Sequence, residues 1–360
     1  MHESDSRKFL ITNTWTYATH GHARDELLRI KCLIAQNSAD SKIISIDSEF
    51  GDVKSHSWGS LLQKLKLDHS RIFKAGVDSC LVKDLSRGIQ KAIAGSESLS
   101  TTLVLTSSRI KHLTMLDHNF SFLKRPRIRV LDAPRDEAEW EDLVVRVEDN
   151  EIRPIIAMEV KSSVTESQSY LSGVKHVPSH QGLHFEGEGV NVARNRVGVF
   201  WPVGRSFKLA EVESILEKVE TLSPIVKLPN GLDHSTILSR YPKLELIPKD
   251  IGNSDFNSFL SKVKVAILGH KDYFRQSSGY LGYFLANNVP VLVSNSNSFF
   301  EEFSNLGQLY AIEETRSLLD LVHDLADSEL VLTRSLFSLN VEKAWKDFIF
   351  EESTWMTDSD

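Results

Sequence analysis

Tyr273-Phe-Arg-Gln-Ser-Ser-Gly-Tyr-Leu-Gly-Tyr-Phe-Leu-Ala-Asn-Asn-Val-Pro-Val-Leu-Val-Ser294 reads as a polar turn, a helix over about Gly279–Asn287, a tight turn and a buried strand at Val291–Ser294. That order is part of a strand–helix–strand unit, so it points to an α/β fold. Ser277 and Ser278 can cap the helix, and Gly279 lets a ligand approach the backbone. The free N–H groups and the positive end of the helix dipole then face one point, which suits a pyrophosphate. Arg275 can add a charge-assisted fork to the same anion, and Tyr280 and Tyr283 lie in the opening turns beside it. The bland alternative is an ordinary helix N-cap next to a surface arginine.

The same alternation extends in both directions. Upstream, Val197–Val203, Ile225–Leu228, Leu244–Ile247 and Val263–Leu268 predict strands, with a helix over Glu211–Glu220. In the first half, strands are expected at Phe9–Thr12, Ile43–Ile46, Thr102–Leu105, Ile128–Leu131 and Pro154–Ala157. Helices are expected from about Ala23 to Ala35 and near Val82–Ala94. Between the halves, Val174–Gly189 is rich in glycine and histidine, lacks an apolar period and reads as a linker. The expected organisation is residues 1–178, residues 179–340, and a terminal helix and tail over 341–360. That helix, Val341–Ile349, carries one apolar face, which packs back on the first domain or covers its own. The architecture implied is two Rossmann-like domains facing across a cleft.

A length of 360 residues fits two cores, and 41% hydrophobic with 25% charged residues is ordinary for globular chains. A net charge of −7 without a long basic run argues against nucleic acid as a partner. Only Cys32 and Cys80 occur, so neither a disulfide framework nor a cysteine metal site is expected, and a reducing cytoplasm fits. The polar start Met-His-Glu-Ser-Asp-Ser-Arg-Lys lacks the apolar core of a signal peptide, and no apolar run approaches the ~20 residues of a membrane span. Peripheral membrane association stays open.

Two further segments carry chemistry. Gly204-Arg-Ser-Phe-Lys208 follows an apolar strand and precedes a helix, so Arg205 and Lys208 stand where ligands of open sheets collect. Two cations there suit a diphosphate leaving group; the alternative is a pair of solvated loop charges. His20-Gly21-His22 follows the first strand, where a histidine can serve as base or hydrogen-bond an acceptor. His112, His118, Asp132 and Asp136 also follow strands of the first half. His176, His180 and His184 recur every four residues, but Pro178 and Gly182 interrupt any regular helix and no metal is expected. No Gly-x-Gly-x-x-Gly, Walker lysine loop or Gly-x-Ser-x-Gly elbow is present, which weakens dehydrogenase, nucleotidase and hydrolase readings.

On these residues the C-terminal half resembles GT-B glycosyltransferases, especially the retaining group that uses nucleotide sugars. Val174-Lys-His-Val-Pro-Ser-His-Gln-Gly182 looks like the family's interdomain segment, and Val199-Phe-Trp-Pro-Val-Gly-Arg-Ser-Phe-Lys208 is similar to its strand, glycine-arginine and downstream lysine. Leu285-Ala-Asn-Asn-Val-Pro-Val-Leu-Val-Ser294 looks like its alanine-x-glycine-x-proline-valine turn and strand. The resemblance implies that Gly204, Arg205 and Lys208 receive the donor diphosphate, with Arg275–Gly279 as the phosphate turn. The family's two glutamates, eight residues apart, fall at Arg275 and Tyr283, a departure from its pattern. Glu301 and Glu302 are cleft candidates by position.

The activity implied is transfer of a sugar from a nucleotide-diphosphate sugar to a glycan, lipid or small-molecule acceptor held by the N-terminal domain, without metal or other cofactor. An epimerase or hydrolase on the same scaffold, and a non-catalytic binding protein, are the rival readings.

Overall fold

The computed structural model describes residues 8–13, 21–37, 39–47, 70–74, 101–108, 127–130, 137–148, 154–159, 174–183, 194–201, 208–229, 232–248, 258–269, 279–294, 303, 305, 308–312, 317–327 and 335–350. The chain divides into two compact units, Met1–His180 with Lys343–Asp360, and Gln181–Glu342.

The first unit holds a seven-stranded sheet of β1 (Lys8–Asn13), β2 (Asp40–Asp47), β3 (Ser70–Lys74), β4 (Thr101–Ser108), β5 (Arg127–Val130), β6 (Ile155–Met158) and β7 (Lys175–His176). Its order is β3-β2-β1-β4-β5-β6-β7, and every neighbouring pair is parallel. Helix α1 (Gly21–Gln36) buries Leu27, Ile30 and Ile34, the stripe expected from its periodicity, and opens at Gly21, so position 22 belongs to the helix rather than to a preceding turn. Helix α2 (Glu137–Glu148) buries Trp140 and Leu143 among exposed charges. The expected helix near Val82–Ala94 lies outside the described residues.

One expectation is corrected here. The segment read as a linker adds a strand to the sheet: Lys175 and His176 pair with Ala157 and Met158, and the Val177 N–H donates to the Met158 carbonyl at 2.9 Å. A two-residue strand is too short to show an alternating pattern, and only the neighbouring strand reveals it.

The second unit repeats the plan with β8 (Arg196–Phe200), β9 (Ile225–Lys227), β10 (Glu245–Leu246), β11 (Val263–Leu268), β12 (Val291–Ser294) and β13 (Leu309–Ile312). The order is β10-β9-β8-β11-β12-β13, again all parallel. Helix α3 (Leu209–Val219) buries Val212, Leu216 and Val219 against Val199, Val226 and Val265. Each such aliphatic side chain contributes about 1.5–3 kcal/mol by leaving water. Helix α4 (His234–Arg240) buries only Ile237 and owes its start to Asp233, whose carboxylate accepts the Ser235 and Thr236 N–H groups. Hydrogen bonds from Ser235 and Thr236 hold that carboxyl below the usual range. Helix α5 (Gly279–Ala286) buries six of its eight residues, as a helix apolar on all sides must. Helix α6 (Leu318–Asp327) packs Leu318, Leu321 and Val322 on the same core as α3.

Helix α7 (Leu336–Phe350) begins in the second unit and ends in the first. Ser335 caps it through its hydroxyl, which accepts the Ser338 N–H at 3.0 Å, and this cap starts the helix five residues before the expected Val341, with Phe337 already buried in its first turn. Within the first unit Phe350 meets Phe9 edge-on at 5.4 Å, and Arg127 donates to the Ile349 carbonyl.

Ser223 and Asn288 take positive φ, 49° and 55°. Asn288 occupies the glycine position of the alanine-x-glycine-x-proline-valine pattern, and asparagine is the side chain that best tolerates this conformation. Ser223 has no such adaptation. Ser223→Gly is expected to stabilise the chain by about 0.5 kcal/mol, since relief of the left-handed strain exceeds the added unfolded-chain entropy; a denaturant titration measures it.

Candidate functional site

In the second sheet the chain runs outward from β8 to β9 and β10, then returns to the other side of β8 to lay down β11, β12 and β13. Between β8 and β11 the connections therefore leave in opposite directions, and the crevice of an open parallel sheet forms beyond the carboxyl ends of those two strands. The two segments singled out in the sequence are the continuations of these strands.

The strand exits are tightly joined. Gly269 follows β11 and donates its N–H to the Phe200 carbonyl at 3.0 Å, while the Trp201 N–H donates to the Lys227 carbonyl at 3.1 Å. Trp201 is buried, and its indole covers Gly269 so closely that a Cβ at 269 would lie 2.2 Å from a ring atom. Phe200, the last residue of β8, packs its ring on Tyr280 at 5.2 Å and Phe284 at 5.1 Å. These contacts hold α5 to the end of β8.

Lys208 opens α3 in an extended conformation (φ −105°, ψ 127°), and its carbonyl accepts the Glu211 and Val212 N–H groups. Its side chain is exposed and makes no cap. Lysine is a poor residue for this place, because a cation at a helix N-terminus opposes the dipole by about 0.3–1 kcal/mol. Glu211 in the first turn offsets part of that cost. Lys208 is thus a local choice that works against stability, on the stretch of chain that continues from the end of β8.

Of the remaining candidates, Gly279 is the first residue of α5. Tyr280 is buried against Phe200, and Tyr283 is half-buried, edge-on to Phe284 at 5.6 Å. At the other end of α5, Arg194 donates to the Asn287 carbonyl at 2.7 Å and closes the helix C-terminus; burial lowers its pKa, and Tyr283 opposes that shift. Gly204, Arg205, Arg275, Ser277, Ser278, Glu301, Glu302 and His20 lie outside the described residues, as do His112, His118, Asp132, Asp136 and His184.

In the first unit Gly21 and His22 are the first two residues of α1, which follows β1 beside the corresponding switch point between β1 and β4. One turn further along, Glu26 is buried and accepts a hydrogen bond from Arg129 Nη1 at 2.8 Å. Arg129 Nη2 pairs with Glu159 at 2.9 Å, Arg129 Nε donates to the Val177 carbonyl at 3.0 Å, and the guanidinium lies over the Trp345 ring at 5.2 Å. Trp345 Nε1 donates to the Pro178 carbonyl at 3.1 Å. Sequence reasoning missed this cluster, although an arginine inside the apolar run Arg127-Ile-Arg-Val130 was its signal. His176 Nε2 lies 3.1 Å from the Glu159 carbonyl, and among the described residues no group of three or more His, Cys, Asp and Glu is placed to hold a metal ion. Among those residues, too, no helix is long and apolar enough to cross a membrane.

Solved structures match nearly the whole chain. A point mutant of S. aureus TarM, in complex with Fondaparinux, alpha-GlcNAc-glycerol and UDP, aligns at 6% identity over 95% of this chain and 96% of its own, with a TM-score of 0.57. The chain has the GT-B fold. A putative UDP-N-acetylglucosamine 2-epimerase from Listeria monocytogenes shares that fold at 13% identity, 97% and 98% coverage and a TM-score of 0.55. The Methanocaldococcus jannaschii UDP-GlcNAc 2-epimerase, in complex with UDP-GlcNAc and UDP, does so at 12% identity, 94% and 97% coverage and a TM-score of 0.51. No protein-family model matches the sequence, and no curated protein matches it significantly. In this GT-B chain both sheets have the same strand order, apart from the added edge strand β7 of the first.

Proposed function

We propose that the protein is a glycosyltransferase that moves a sugar from a nucleotide-diphosphate sugar to an acceptor. The observation that carries this reading is the placement of Lys208 and the start of α5 on the continuations of β8 and β11, the two strands that flank the switch point. Lys208, Arg205 and Arg275 with the turn Ser277–Gly279 would stabilise the negative charge that develops as the diphosphate departs. Gly204 lets the backbone approach, and this chain's own cations would supply that charge without a bound metal. His22, with His20 and Gly21, is assigned to the acceptor side, where its ring can take the proton of an attacking hydroxyl.

The first test is thermal stabilisation of the full chain by UDP, GDP and ADP. A ligand at 100 times its Kd adds about 2.7 kcal/mol of stability, and the reading fails if none of the three moves the transition. Lys208→Ser separates stability from binding. It is expected to raise stability by about 0.5–1 kcal/mol by supplying a proper cap. It should also weaken nucleoside diphosphate binding roughly tenfold, the effect of losing one charge-assisted contact; calorimetric titration reads the second effect.

Epimerisation of the nucleotide sugar is the second reading, favoured by the comparably high coverage of the two epimerase structures. Product analysis with a labelled donor separates them, since only a transferase yields an acceptor glycoside.

A further inference from the structure

Helix α5 touches more than the core beneath it. At Gly282, one turn after the helix opens, a Cβ would stand 3.2 Å from Gln181 Cβ and 3.5 Å from the Gly182 nitrogen. At Gly182, in the 3-10 turn His180–Gly182, a Cβ would lie 2.6 Å from Val341 Cγ2 and 2.8 Å from the Phe337 ring. Phe337 in turn meets Phe303 edge-on at 5.4 Å. Three segments thus meet with no side chain from either glycine between them: α5, the end of that turn at 181–182 and the first half of α7. Gln181 and Glu342 are the first and last residues of the second unit. The segments by which the chain enters and leaves that unit are therefore packed together, and α5 rests on the first of them, Gln181 and Gly182, which in turn lies against Phe337 and Val341.

We propose that Gly282 and Gly182 are positioning residues that couple the occupancy of the α5 start to the stiffness of residues 181–183 and 336–342. The ligand in this proposal is the nucleoside diphosphate of the function proposed above, and to that extent it rests on that reading. The physical step is short. The opening amides of a helix have no partners within it, so in α5, whose body is held by burial, the first turn is the part left to be secured. An anion that binds those amides secures that turn and fixes the helix, only about 12 Å long, as one body. A close-packed contact cannot absorb a shift of its neighbour as a liquid would, so ordering α5 orders what rests against Gly282. The coupling then appears as reduced motion, without a large displacement.

Hydrogen exchange on the full chain, with UDP as the probe, tests this. Saturating UDP is expected to slow exchange several-fold in 279–286 and also in 181–183 and 336–342. In Gly282→Ala, where the new methyl forces a shift of a few tenths of an ångström, the slowing should persist at the start of α5 and be lost in 336–342. The coupling is overturned if UDP protects α5 alone in the native chain, or if Gly282→Ala leaves protection of 336–342 unchanged. If UDP protects no segment, the nucleotide reading fails instead, and the contact is then judged without ligand. Gly282→Val must accelerate exchange in 336–342 at least threefold relative to the native chain, and an unchanged rate there sinks the proposal.

Discussion

Arg129→Met is expected to destabilise the first unit by about 3–5 kcal/mol, the usual cost of leaving a buried ion pair with one partner. Arg129 and Glu26 are almost wholly excluded from solvent and Glu159 nearly so, with side-chain exposures of 1%, 0% and 7%. Removing the guanidinium strands two carboxylates next to each other, and it also removes the donor to the Val177 carbonyl and the cation over Trp345. For a unit of this size the loss corresponds to a fall of roughly 6–20 °C in its melting transition. Arg129→Lys should recover little, because a point charge cannot reproduce a fork that reaches three acceptors in different directions. Replacing Arg129, Glu26 and Glu159 together by apolar residues of similar volume should recover most of the stability. Calorimetry on the three variants checks the series. A single Arg129→Met variant that melts with the native chain would show that the cluster is solvated in solution.

The cluster also marks where the sequence stops being legible. Strands such as β11 and β12 announce themselves as β-branched runs, and their sequence-read bounds coincide with the structure. Strand β13, Leu-Tyr-Ala-Ile at a sheet edge with Tyr310 exposed, shows too little of that pattern to be recognised. Helix α4 has one buried residue and a cap, so its signal was the Asp-x-Ser/Thr start rather than amphipathicity. Helix α6 carries a legible stripe, Leu318, Leu321 and Val322 at i, i+3 and i+4. Arg129 belongs to another class. Its partners are separated from it by 30 to 216 residues in the chain, and only the fold brings Glu26, Glu159, Val177 and Trp345 around it. The candidate site shows the same division. Lys208 and Gly279 stand out from local turn chemistry, but that they continue the two strands flanking the switch point follows from the strand order, which no local pattern contains.

Gly269→Ala is the sharpest test of the joint between the exits of β8 and β11. The added methyl would overlap three atoms of the Trp201 indole, at 2.2, 2.4 and 2.5 Å, distances that no Cβ contact sustains. Because Gly269 is tied to Phe200 through its N–H and Trp201 to Lys227 through its own, the backbone on each side is held and the indole has to move. Overpacking of this kind costs about 1–3 kcal/mol, and occasionally more. Trimming the ring tells strain from lost packing. Trp201→Leu alone opens a cavity and should cost about 2–4 kcal/mol. Trp201→Leu combined with Gly269→Ala should cost at least about 1 kcal/mol less than the sum of the singles, the non-additivity expected of residues in contact. The functional consequence is separable from the stability one. If the Trp201–Gly269 contact sets the spacing between the exits of β8 and β11, then on the function proposed above the double variant should fold and still bind UDP several-fold more weakly than the native chain, because Lys208 and the start of α5 continue from those two exits. Additive stabilities in the cycle, measured by urea titration, would mean that the indole does not rest on Gly269 and that the spacing of the two exits is fixed by the strand pairing alone.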